Sequence, residues 1–516
     1  MSIDFLYEIY KQHNEVSTDS RRTPDGCLFF ALRGETFDGN QFAAKALEGG
    51  AAVAVVDDAS VVPDGDLLSE AQPGGHYIVV ADVLETLQAL AAYHRQQFRG
   101  PVIQVTGTNG KTTTKELLAA VLSSKFNVLY TQGNLNNHIG VPLTLLRLRP
   151  EEHEIAIIET GANHPGEIRF LTNIVRPDYG LITNVGRAHL EGFGSFEGVK
   201  RTKGELYDYL KTVAGARIFA CASNPDLMNM LAEREIDAAS DKCITYAHDG
   251  EALASTLCQG RVAACDPALA VNWQPAAIAQ STPAAIAQSA TAAIAPSATA
   301  AIAQSTTATN APSVPAVGCG SAFPAEHLTT RTQLIGDYNL DNVLAAICTG
   351  LHFGLTPAEI NAALEAYHPS LGRSEYRRTA KNELIVDAYN ANLTSMLAAL
   401  KNFAAINHEH KMVILGDMRE LGAASRDAHL HVVREVLVCG VEEAWFVGKE
   451  FADTLKEAQM QPAAQADSTG CVAPCIRLYA DVQAVADAIA AACPSGRLIL
   501  IKGSNSTRLH QLPPLL

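Results

Sequence analysis

The chain has 516 residues, 47% of them hydrophobic and 18% charged, with a formal net charge of -16 and a mean hydropathy of +0.05. That length exceeds one ordinary domain and supports about three, each with apolar material for a core. The acidic balance, without a basic stripe, argues against a nucleic-acid partner; anionic ligands would need local positive devices.

The amino terminus, MSIDFLYEIYKQHNE, carries Asp4 and Glu8 and lacks both a basic start and an apolar core, so no signal peptide is expected. No apolar run reaches bilayer-spanning length, so membrane insertion is not expected either. Eleven cysteines are scattered singly, apart from Cys471 and Cys475, with no zinc-type spacing. They read as small buried hydrophobes in a reducing cytoplasm.

Residues 1–82 alternate short apolar segments (Cys27 to Leu32, Ala51 to Val56, Tyr77 to Val80) with a helix carrying Phe42, Ala43, Ala46 and Leu47, and predict a small α/β domain. Its polar loops at 18–21 and 33–39 adjoin the first strand, where such units bind ligands. A helix from Leu84 to Phe98 leads into the second expected domain, residues 83–327.

There VIQVTGTNGKTTTKE, Val102 to Glu116, reads as strand, tight loop and helix. Glycines at 107 and 110 bare the backbone N–H groups, Lys111 adds a positive charge and Thr112 and Thr113 offer hydroxyls, as a loop holding phosphates and Mg²⁺ requires. The general Walker pattern wants a glycine where Val105 stands, so the loop is the shorter G-x-x-G-K-T-T form. Beyond it come the amide-rich Asn134 to Gly140 and two strands, Ile155 to Ile158 and Tyr179 to Ile182. The first ends in Glu159 and the second leads to His189. In a doubly wound sheet both strand ends share the phosphate loop's edge, which suggests a metal site of Thr112 and Glu159 with His189 nearby. Lys203, in KRTKGE, reads on its own as a solvated helix position.

From about 262 to 321 the chemistry disappears. Four octads, from PAAIAQST at 275–282 to TAAIAQST at 299–306, carry one Ile each and cannot offset the entropy of ordering, so a disordered insertion is expected. The third domain, 328–516, alternates strands (Leu384 to Val386, Met412 to Leu415, Ala444 to Val447, Leu498 to Ile501) with helices and reads as a second open α/β domain.

Taken in order, RGETFDGNQFAAKALEGGA, TGTNGKTTTKE, NLNNHIGVPLTLL, ETGANHPGEI, AHLEGFGS, GDYNLDNVLAA, DAYNANLTSM and ILGDMRELG resemble the Mur ligases of bacterial cell-wall synthesis, most closely the type that adds D-alanyl-D-alanine. The resemblance implies three α/β domains: a small substrate domain, a central P-loop-type parallel-sheet ATPase domain and a C-terminal Rossmann-like domain. It implies ATP-driven amide formation through an acyl phosphate, with Mg²⁺, in a cytoplasmic monomer acting on UDP-N-acetylmuramoyl-tripeptide and D-alanyl-D-alanine. By resemblance Gly107, Thr108, Asn109, Gly110, Lys111, Thr112 and Thr113 would hold phosphates. Thr112 and Glu159 would hold one Mg²⁺. His189 and a Lys203 carbamylated by CO₂ would serve a second. Asn339 and Asn342 would meet the adenine, Asp387 the ribose and Arg373 the phosphates. Ser20, Arg21, Asp38 and Gly39 would form the uridine-nucleotide site, and Asn136 and Asn137 would lie along the peptide. Leu393 replaces the usual proline of the family, which should loosen the turn after Asn392. The alternatives are a sister or folylpolyglutamate-type ligase adding one amino acid, and a non-catalytic nucleotide-binding scaffold.

Overall fold

The computed structural model describes residues 2–72, 74–187, 190–276, 327–369, 372–458 and 474–516. The amino-terminal unit is a four-stranded parallel sheet in sequence order: β1 (Val16–Ser17), β2 (Leu28–Phe30), β3 (Val53–Val56) and β4 (Tyr77–Val79). Phe30, Val53, Val55 and Ile78 share one apolar cluster with Leu87, Leu90 and Ala91 of the helix Val83–Arg95 and with Val141, Leu145 and Leu171 of the next unit. That helix therefore docks the small sheet onto the larger body.

A second sheet runs through the rest of the chain. Its central half comprises β5 (Val102–Thr106), β6 (Val128–Tyr130), β7 (Ile155–Glu159), β8 (Tyr179–Ile182), β9 (Arg217–Cys221), β10 (Cys243–His248), β11 (Thr256–Cys265), β12 (Ala268–Pro275) and β13 (Leu328–Ile335). The far half is β14 (Glu375–Arg378), β15 (Glu383–Asp387), β16 (Lys411–Gly416), β17 (Glu443–Val447), β18 (Cys475–Tyr479) and β19 (Leu498–Lys502). The order is β6-β7-β5-β8-β9-β10-β11-β12-β13-β14-β15-β19-β16-β17-β18. Strands β5 to β10 pair in parallel, as do β15 to β19, while β11 to β15 join the halves through antiparallel ladders. Strands β5 and β7 are buried at every position, which is why they read as near-continuous apolar runs, interrupted within β5 by Gln104, whose Nε2 donates to Thr160 Oγ1 and Thr172 Oγ1 at 2.9 Å.

Two expectations are corrected. The segment from 262 is not disordered as far as residue 276: β11 and β12 form a hairpin whose Leu269, Val271 and Trp273 are buried. Their period-two alternation supplies the core face that the alanine-rich composition obscured. Residues 277–326, which carry most of the repeats, lie outside the described residues. The break at 327/328 also moves, because Leu334, Val343, Leu344, Ile347, Ile360 and Leu364 pack in the same core as Leu117, Leu118 and Val121 of the phosphate-loop helix. The central body thus extends through the helices Leu340–His352 and Pro357–Ala366, and the far unit begins near residue 372.

The turn before Leu393 is held firmly. Asn392 caps the helix Leu393–Ala405 by accepting the Ser395 N–H at 2.9 Å, and the Ser395 hydroxyl accepts the Asn392 N–H at 3.1 Å. This capping box offsets the missing proline.

Candidate active site

The β5 strand ends at Thr106 and the chain turns through Gly107, at φ +143°, and Gly110, at φ +79°, into the helix Lys111–Leu122. Both glycines are required by space as well as conformation. A Cβ on Gly107 would stand 2.0 Å from Thr183 Oγ1, and one on Gly110 would stand 2.6 Å from Asn342 Oδ1. The loop is braced from the next strand end, where Asn184 Oδ1 accepts the Asn109 N–H at 3.0 Å and Thr183 Oγ1 donates to Asn109 O at 2.6 Å.

Lys111 curls back, donating to Gly107 O and Thr108 O at 2.9 Å each. Burial, and the nearby Arg373 guanidinium, push its ammonium below the ordinary lysine range, against the opposing pull of Glu159. Glu159, 1% exposed, closes β7 and accepts from Thr112 Oγ1 at 3.1 Å and Asn136 Nδ2 at 2.8 Å, both on Oε1. Its other oxygen, Oε2, is buried with no hydrogen-bond partner. An orphaned carboxylate oxygen beside a threonine hydroxyl and a phosphate loop suits a hard divalent cation such as Mg²⁺, so these residues fit that ion.

Lys203 lies in the helix Phe196–Thr212 with 2% exposure, not on a solvated face as its local sequence suggests. Its Nζ sits 5.7 Å from the centre of the Phe193 ring. Burial, then the charge of Lys111, holds its amine well below the ordinary lysine range, opposed by Glu167 and Glu205. His189 lies outside the described residues.

From the carboxyl side, Asn342 Oδ1 accepts from Thr114 Oγ1 at 2.9 Å, and Asn342 Nδ2 donates to Asn339 Oδ1 at 2.8 Å. The asparagine pair is thereby tied to the phosphate-loop helix. Asp387 and Lys502, paired in register at the ends of β15 and β19, form an ion pair. The Arg373 guanidinium stacks 3.8 Å from the Tyr389 ring centre, and its Nε is buried without a partner. These groups face one cavity of about 780 Å³, lined by the phosphate loop, Asn136, Asn137, Glu159, Asn339, Asn342, Arg373, Asp387, Asn392 and Lys502.

The first-domain residues do not line this cavity. Arg21 pairs with Asp19 at 2.8 Å on the surface. Asp38 accepts the Asn40 N–H at 3.0 Å, and a Cβ on Gly39 would stand 2.3 Å from Leu32 O. Both shape the turn after β2. Asn163, Tyr389 and Lys502 also line the cavity, from the polar loops after buried strands that the sequence marks as ligand-binding positions, and Glu167 lines it without having been singled out. Glu167 opens the helix Glu167–Val175 just beyond β7, and an acidic residue at a helix start beside the phosphate-loop edge is the signal that could have found it.

A phosphate loop, a metal-competent carboxylate and a buried lysine around an interdomain cleft define a P-loop nucleotide-dependent enzyme of the α/β class. Residues 13–95 match the Mur ligase family catalytic domain, 105–266 the Mur ligase middle domain and 372–505 the Mur ligase glutamate ligase domain. The UDP-N-acetylmuramoyl-tripeptide--D-alanyl-D-alanine ligase of Escherichia coli (strain K12) is 33% identical over 96% of this chain and 92% of its own. That of Bacillus subtilis (strain 168) is 32% identical over 80% and 75%. A crystal structure of MurF from Acinetobacter baumannii, 27% identical, superposes with a TM-score of 0.72 over 96% of this chain and 92% of that one. The MurF ligase of Thermotoga maritima in complex with ADP, at 22% identity, shares the fold with a TM-score of 0.70 over 98% and 97%. The chain belongs to the Mur ligase family, and within it to the MurF type.

Proposed function

We propose that the chain is an ATP-dependent ligase that joins D-alanyl-D-alanine to UDP-N-acetylmuramoyl-tripeptide in cell-wall precursor synthesis. It acts in the cytoplasm as a monomer. A carboxylate anion repels an incoming amine, so its oxygen must first become a leaving group. The γ-phosphoryl of ATP passes to the peptide carboxylate, giving ADP and an acyl phosphate. The dipeptide amine then attacks the carbonyl carbon, the C–O bond to phosphate breaks, and the amine proton leaves as the amide forms.

Lys111 and the backbone N–H groups from Gly107 to Thr113 hold the β- and γ-phosphates and offset charge developing on the transferred group. Thr112 and Glu159 hold Mg²⁺, which supplies Lewis-acid stabilisation of the phosphate oxygens. His189 and Lys203 serve a second metal. For Lys203, the neutral amine attacks CO₂ and gives up its N–H proton to solvent, leaving a carbamate, an anion in place of a neutral amine. Its depressed basicity in a dry site supports this step. Asn339 and Asn342 meet the adenine, Asp387 the ribose and Arg373 the phosphates. Ser20, Arg21, Asp38 and Gly39 bind the uridine nucleotide, with Asn136 and Asn137 along the peptide.

The observation that carries the reading is the orphaned Glu159 Oε2 at the phosphate loop. The test is phosphate release from ATP with the tripeptide nucleotide and either D-alanyl-D-alanine or single amino acids. Turnover is expected with the dipeptide. Turnover with a single amino acid and not the dipeptide overturns the assignment in favour of a sister ligase.

A further inference from the structure

Away from the cleft, three ligand-type side chains converge from distant parts of the sequence. Cys221 closes β9, His248 closes β10 and Asp341 lies in the first turn of the helix Leu340–His352. His248 Nε2 is 2.8 Å from Asp341 Oδ1, and Cys221 Sγ donates to the same oxygen at 3.7 Å. The three ligand atoms all lie within 4.8 Å of one another. Cys221 is buried, while the side chains of His248 and Asp341 keep 41% and 34% of their exposure. The cluster is thus closed on its sulfur side and open to solvent on the other. None of the three lines the cavity above.

Two simpler uses fit less well. A nucleophilic thiol needs its thiolate favoured at neutral pH, but here the sulfur donates to a nearby carboxylate whose charge opposes ionisation. Burial, then Asp341, push the thiol far above its ordinary range, which makes it inert alone. A plain His–Asp ion pair leaves unexplained why a cysteine is turned onto its carboxylate. The surroundings are also acidic. Asp249 and Glu251 both bear on His248, and Asp249 Oδ1 is buried without a hydrogen-bond partner, while its other oxygen pairs with Arg261 at 3.2 Å. One thiolate, one imidazole and one carboxylate, with room for water, is a donor set that zinc-class ions take.

We propose that Cys221, His248 and Asp341 form a binding site for a thiophilic divalent cation of the zinc class, with three protein ligands and one solvent position. Binding breaks the Cys221 Sγ–H bond and the His248 Nε2–H bond, releases both protons to water while the neutral ring keeps its hydrogen on Nδ1, and forms sulfur–metal and nitrogen–metal bonds. The ion ties the ends of β9 and β10 to the helix whose Asn342 braces the phosphate-loop helix through Thr114. The proposal does not depend on the ligase reading.

The test uses the full chain, stripped with a chelator and titrated with Co²⁺ alone as probe, with Mg²⁺ in excess to fill oxygen-ligand sites. A thiolate-to-cobalt absorption band saturating at a single equivalent and displaced by Zn²⁺ is expected. Cys221→Ser should abolish the band. His248→Gln should weaken Co²⁺ binding by more than about tenfold, since even outer partners of a ligand carry ~10–100-fold. A Cys475→Ser/Cys493→Ser double variant should retain it, because both of those thiols are exposed elsewhere. Should Cys221→Ser fail to fold, the half-exposed His248 variant decides. Absence of a thiolate band, its loss in the Cys475/Cys493 variant, or unchanged binding in His248→Gln overturns the proposal.

Discussion

Asn392 Nδ2 donates to Asn109 Oδ1 at 2.7 Å, joining the phosphate loop to the cap of a helix 283 residues away. This bond crosses the cleft between the central and far units and holds them together at the nucleotide site. It has a direct consequence for closure, because each partner already has a second duty, Asn109 in the loop and Asn392 in the cap.

Asn392→Ser keeps an oxygen to cap the helix while removing the amide that reaches Asn109. Stability should change by no more than ~1 kcal/mol. Small-angle scattering should show a more open particle without nucleotide, and turnover should fall. A variant with unaltered scattering and turnover would show the bridge to be incidental.

Lys111→Met removes the ammonium beside Gly107 and Thr108 and should lower turnover by on the order of 10²–10³, the scale of losing one preorganised donor. Glu159→Gln keeps an oxygen for Thr112 but loses the charge. The Mg²⁺ concentration for half-maximal rate should rise, and a Mg²⁺ titration reads it.

Lys203→Ala should be nearly inactive and partly rescued by added short carboxylates, which can stand in for a carbamate. An unaffected rate removes Lys203 from the mechanism. Lys203→Met should stabilise the fold in CO₂-free buffer. Its native amine titrates below the unfolded value of 10.5, so the wild type bears the cost of burial at neutral pH and sheds it as pH rises toward 10.5. The stabilisation seen in denaturant melts should therefore shrink with rising pH.

His352 is packed among Tyr179, Phe219 and Phe353, and burial, then Arg217, pull its pKa down from 6.5 to about 4. The unfolded chain binds the extra proton between those values. Stability should thus be intact above 6.5 and fall by about 3 kcal/mol as pH drops to 4. His352→Phe should flatten that part of the pH–stability curve.

Trp273 of β12 pairs in register with Leu328 of β13, so the two strand ends that flank residues 277–326 already lie side by side. Replacing 277–326 with a short glycine-containing turn should leave melting temperature and turnover near normal. A cut at 264–317 instead removes β12 and its buried Leu269, Val271 and Trp273, and should prevent folding.

The phosphate loop was legible because its message is local: an apolar strand, two glycines, a lysine, two threonines and an amphipathic helix are all set by backbone stereochemistry and periodicity within Val102 to Leu122. Strands β15, β16, β17 and β19 were legible for the same reason, whereas β18, with the half-exposed pattern of an edge strand, was not. Three further things were not. Composition hid the β12 hairpin, since Leu269 sits between alanines, Trp273 sits between Asn272 and Gln274, and alanine-rich repeats follow directly. Chain order could not tell which core the helix Leu340–His352 joins, because that depends on shape complementarity with the helix Lys111–Leu122. Nor could spacing reveal that Thr112 and Asn136 share one oxygen of Glu159, or that Cys221 and His248 meet at Asp341. Sequence alone determined which segments turn, extend and coil and which could hold a phosphate. Packing of distant segments decided which lysine is dry, which carboxylate oxygen is left open and which strand ends meet, because burial and proximity are properties of the assembled core.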